Sequence, residues 1–139
     1  MQLILLLLLS VSGWTATHDL EVKLTGMRNT KGSVLYLVFK SADGFPGDAK
    51  KSVKQGKIKA SEAKNGILIT DLVPGTYAIT ITHDENNNGK LDTNFVGIPK
   101  EGFAFSKNPK VTVGAPSFSQ CKFDSSESKE ISIKMNHLL

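Results

Sequence analysis

The sequence predicts an all-β fold: a single antiparallel β-sandwich of about seven strands behind an N-terminal export signal. Three observations carry that expectation. The 139 residues leave room for one domain and no second lobe. From His18 onward the dominant hydrophobic period is two, and no stretch supports a helix longer than a turn or two. The composition, with 40% hydrophobic and 22% charged residues, 12 glycines and 5 prolines, excludes both disorder and a collagen-like repeat.

The export signal comes first in the chain. Leu3 to Leu9 is an unbroken apolar run, too short to span a bilayer, which needs about 20 residues. Followed by small residues, it reads as a secretory signal peptide at 1–16, with Ala16 or Gly13 as the last residue before the cut. The mature domain is then 17–139, in the periplasm or outside the cell. Its only cysteine, Cys121, cannot form an intramolecular bridge, so a hydrophobic core must hold the fold.

Strands follow in order. Asp19 to Met27 alternates Leu20, Val22 and Leu24 against Glu21, Lys23 and Thr25, the pattern of a half-buried strand. Gly32 to Lys40 is continuously apolar and reads as a central strand covered on both faces. Gly66 to Leu72, Thr76 to Thr82, Ser117 to Phe123 and Lys129 to Asn136 follow as further strands, with Cys121 a small half-buried side chain on one of them. Pro74 and Gly75 suit the centre of a type II turn.

Two long connections interrupt this pattern. The first, Ser41 to Ser61, carries Lys50, Lys51, Lys54, Lys57 and Lys59. They serve either as a solvated loop that keeps the protein soluble or as a contact with anionic lipid or another acidic envelope surface, for which Lys50, Lys51 and Lys54 are the candidates. A net charge of +4, a single arginine (Arg28) and no interleaved aromatics argue against nucleic acid.

The second connection holds the most specific signal. Asp84, Asn86 and Asn88 stand at alternate positions with Gly89 directly after, the D-x-N-x-N-G opening of an EF-hand-type calcium loop. In that register Lys90 offers its backbone carbonyl and Asp92 a carboxylate, with Asn94 or Glu101 as helpers. Position 12, normally a bidentate glutamate, falls on Phe95, and the incoming arm is a strand. A fixed structural Ca²⁺ therefore suits the loop better than a conformational switch. Three acids and one lysine leave Asp84–Asp92 at −2, which suggests a dissociation constant of about 10⁻⁴ to 10⁻³ M. The same residues also suit a metal-free turn, since Asx side chains cap their own backbone. His83 beside them is expected to be a hydrogen-bonded structural residue.

At this point the chain resembles a known family. The run THDENNNGKLDTNFVGIPKEGFAFSKNP, preceded by GFPGDAKK and DLVPGTYAITI and followed by GAPSFSQCKF, resembles the bacterial domain of unknown function 2141 across Leu20 to Met135. The resemblance implies an exported immunoglobulin-like or transthyretin-like β-sandwich with no established reaction. The family's acidic motif matches at Asp84, Glu85, Asn86, Asn88, Gly89, Lys90, Leu91 and Asp92, and continues at Thr93, Asn94, Phe95, Gly97, Pro99, Glu101 and Gly102. Asn87 stands where glycine is common. Phe95, Phe103 and Phe105 are expected to anchor this stretch over the sandwich end, or to form the rim of a binding pocket.

For function, the sequence favours a non-catalytic, monomeric module, calcium-stiffened at one end, that binds a partner protein or envelope surface through its loops. It lacks a G-x-S-x-G elbow, an HExxH motif and paired cysteines. The alternatives are a small metal-dependent hydrolase using the acidic loop, and a structural or adhesion component that pairs through an edge strand.

Overall fold

The computed structural model describes residues 13–139; the expected signal peptide falls largely on 1–12, outside the described residues. Eight strands form two packed sheets. The smaller has the order β4-β1-β8, from Ile67–Leu72, His18–Thr25 and Glu130–Lys134. The larger has the order β3-β2-β5-β6, from Lys54–Lys59, Ser33–Phe39, Thr76–Asp84 and Gly102–Phe105, with β7 (Phe123–Asp124) pairing on β5. All ladders are antiparallel except β1 with β8, which run parallel. No helix among the described residues is long and apolar enough to cross a membrane.

Alternation builds the core. Leu20, Val22 and Leu24 on β1 face inward with Ile67, Ile69 and Ile133, and meet Val34, Val38, Ile79 and Ile81 of the larger sheet. Each such side chain contributes about 1.5–3 kcal/mol when fully buried.

Four local expectations are corrected. Part of the lysine-rich connection is the edge strand β3, whose only large apolar residue is Ile58; lysines on an edge strand block further pairing, and they hid it from the hydrophobic pattern. Ser117 to Phe123 is mostly a short helix, Phe118–Cys121, started by a capping box in which Ser117 Oγ accepts from the Gln120 N–H and Gln120 Oε1 accepts from the Ser117 N–H. Cys121 is fully buried there, and burial pushes its thiol up to about 11. The stretch GFAF is the paired strand β6 rather than loop. Gly75 does not take the positive φ a type II turn needs; Asp71 does, at 56°. The Pro74–Gly75 bend is held instead by Ser125, whose Oγ accepts from the Gly75 N–H at 3.1 Å and whose N–H donates to the Gly75 carbonyl at 2.9 Å.

Candidate ligand-binding site

Period two along β2 and β5 gives the larger sheet a second, outward face. Two cross-strand rows lie on it: Lys57, Leu35, Thr82 and Phe103, and beside them Gln55, Leu37, Thr80 and Phe105. At one end a second apolar cluster covers this face. There Ala78, Phe103, Phe105 and Cys121 pack with Phe45 and Phe118, and the Phe39–Phe45 and Phe45–Phe118 ring pairs meet edge to face at 5.5 and 5.9 Å.

The remainder is open. Leu35, Leu37, Thr80 and Thr82 floor a groove of about 1040 Å³, at the upper end of the size typical of small-molecule sites. One wall comes from the segment 89–99 and the other from 111–115. Both walls carry bare apolar tips: Val96 is 62% exposed and Val113 95%. Phe95 beside Val96 is 99% exposed and is thus no anchor; Phe103 and Phe105, tied into β6, do pack. Thr80 Oγ1 is buried in the floor without a hydrogen-bond partner. Lys57 and Lys90 are the charged residues of the lining, and neither has an ion-pair partner among the described residues.

The acidic loop forms the root of the first wall. Asp84 is fully buried and accepts the backbone N–H groups of Asn88 at 3.1 Å and Gly89 at 2.7 Å, closing the bend. Asn87 occupies the left-handed region at φ 57°, as its place in the motif requires. Asn86 and Asn88 both turn their side-chain amides onto the Asp92 carboxylate, at 2.7–2.8 Å, and hold it below the usual carboxylate range. The buried Glu101 clamps the loop from behind. Its two oxygens accept the N–H of Glu85 and of Asp92, each at 3.0 Å, so one side chain joins both ends of the loop.

A family comparison meets this geometry. The model for the family described as uncharacterized protein conserved in bacteria (DUF2141) matches residues 22–134, nearly the whole described domain. The chain belongs to this family. No curated protein and no solved structure matches it.

In this DUF2141 protein the expected ligating residues Asp84, Asn86, Asn88, Lys90 and Asp92 do lie in one bend. Gly89, Lys90 and Leu91 also border the groove. Asn94 shapes the wall, its Oδ1 accepting the N–H groups of Val96 and Ile98 at 3.0 and 2.9 Å. Among the described residues no three His, Cys, Asp or Glu side chains group as a metal site, so any cation here relies on amide and carbonyl oxygens beside the two aspartates.

The lysine candidates scatter. Lys51 pairs with Asp43 at 3.4 Å, Lys54 donates to the Thr70 carbonyl, and Lys50 stands exposed on the 3₁₀ turn 49–51. His83 is buried, with its Nε2 2.7 Å from the Lys31 carbonyl and its Nδ1 without a hydrogen-bond partner. Arg28 ties the loop to the chain end: its guanidinium donates to Glu85 Oε1 and to the Lys100 and Leu139 carbonyls, all at 2.7 Å. That contact lowers the Glu85 carboxyl and raises Arg28. The sequence offered the stretch from Phe95 to Phe105 as the rim of a binding pocket; the sheet face that floors the groove was not anticipated, although the continuously apolar β2 carried its signal.

Proposed function

We propose that this family member is an exported, non-catalytic binding module that receives an apolar ligand in the groove on the outer face of its larger sheet. The observation that carries this is the apolar floor of Leu35 and Leu37, left partly open between two walls while the inward rows of both sheets are packed. An apolar concavity of this size that the fold leaves uncovered marks a binding site. The test is saturable uptake of an environment-sensitive apolar dye by the folded protein. Uptake is expected in the wild type and lost in Leu35→Asn/Leu37→Asn; no uptake, or equal uptake by that variant, overturns the proposal.

A second element supports the wall of the groove. We infer that Ca²⁺ is held by the Asp84–Asp92 loop as a structural brace. The donor set fits a hard cation: two carboxylates, the Asn86 and Asn88 side chains gathered on Asp92, and the Lys90 carbonyl. Rotating the two amides would present oxygen in place of nitrogen. With the dissociation constant expected from loop charge, about 10 mM Ca²⁺ should raise the melting temperature by about 5–10 °C. Asp92→Asn should remove most of that rise. An equal rise in the variant, or none in the wild type, sinks the calcium reading and leaves the groove intact.

A further inference from the structure

Resting on the groove reading above, we infer that its ligand is a monomeric amphipathic anion: an alkyl chain or comparable apolar body bearing one carboxylate-type head, with the head at Lys57. Charge complementarity points there. The groove lining contains no aspartate or glutamate, and its two lysines have no ion-pair partner among the described residues.

The order of residues across the sheet is amphipathic in the same sense. Lys57 stands on the edge strand β3, and the row runs from it through Leu35 and Thr82 to Phe103 on β6. Three inter-strand steps of about 4.8 Å make this row roughly 14 Å long. An extended alkyl chain of about a dozen carbons, with bonds of about 1.5 Å, spans that distance. A lysine at one end of such a row can lay its methylenes on Leu35 while its ammonium stays at the mouth.

The experiment displaces the groove-bound dye with three ligands of equal chain length below their micellar concentrations: dodecanoate, methyl dodecanoate and dodecylammonium. Wild type, Lys57→Gln and, as a control at the other end of the row, Lys90→Gln are compared at pH 7.5. Dodecanoate should displace dye at about tenfold lower concentration than the ester, with the amine weakest, and in Lys57→Gln acid and ester should converge within about twofold. Equal displacement by acid and ester in the wild type overturns the anionic head and leaves the groove reading standing. Dye uptake with no displacement by any of the three overturns the alkyl class. Binding to anionic phospholipid vesicles without displacement by dodecanoate overturns the monomeric ligand in favour of a membrane surface. Failure of the dye itself to bind overturns both this inference and the groove reading.

Discussion

The two faces of the five-stranded sheet are made by the same strands and end in opposite states. Inward, Val34, Val38, Ile79 and Ile81 are fully buried against the three-stranded sheet. Outward, the neighbouring positions Leu35 and Leu37 are only half covered, and Thr80 and Thr82 take the places where the inner face has isoleucine. The inner face has the three-stranded sheet as its partner. The outer face has one only at its Phe105 end, where Phe45, Phe118 and Cys121 close over it. A two-sided apolar strand therefore does not imply a two-sided core, and where cover stops, the surplus apolar surface is available for binding.

The largest expected effect separates the two faces directly. Ile81→Ala empties a fully buried position and should cost about 2–5 kcal/mol in urea unfolding. Leu35→Ala, one strand away on the open face, should cost no more than about 1 kcal/mol and yet weaken dye uptake more than Ile81→Ala does. Equal losses of stability would break the comparison, because the outer face would then be core.

A smaller effect lies at the sheet edge. Gly56 on β3 pairs with Tyr36 on β2, and a methyl group at Gly56 would fall on the Tyr36 ring. The glycine thus lets the ring lie across the edge strand, where partial burial raises its hydroxyl above the usual range. Gly56→Ala should cost about 1–3 kcal/mol in the wild type and close to nothing in a Tyr36→Val background. Additive losses in the double variant would show that the glycine serves backbone freedom rather than the ring.

The comparison also explains which parts of the structure were legible in the sequence. Leu20, Val22 and Leu24 alternate against polar residues, so β1 and its inward face follow from period two alone. The Asp84–Asp92 bend was equally readable, because its Asx residues act on backbone a few positions away. What escaped depends on distant partners. β3 holds one large apolar residue, and its strand state is set by pairing with β2. Glu101 was legible as a helper of the acidic loop, but not as a clamp that accepts the Glu85 N–H 16 residues back, a distance no local motif encodes. The Ser117–Gln120 capping box was local and could have been read as a helix start; the alternation around Cys121 masked it. For Phe95 the anchor alternative fails because it equated apolarity with burial, and the side chain is 99% exposed.

The smallest effect tests how the wall of the open face is tied down. Arg28 holds Glu85 at the root of the acidic loop, and its hydrogen bond keeps the folded Glu85 carboxyl below its ordinary value. A carboxyl lowered on folding stabilises the protein above its unfolded pKa, and that stability is lost as pH falls through the folded one. Glu85→Gln should therefore lower the melting temperature at pH 7, with a cost under about 1 kcal/mol because the pair is partly exposed. The deficit should shrink as the wild-type carboxyl protonates in the acid range and vanish once it is neutral. Arg28→Gln should retain a residual deficit in acid, since its bonds to the Lys100 and Leu139 carbonyls do not depend on Glu85. If the Glu85→Gln deficit were the same at every pH, the charge of this pair would have no part in holding the wall, and the Glu101 clamp would be its principal anchor.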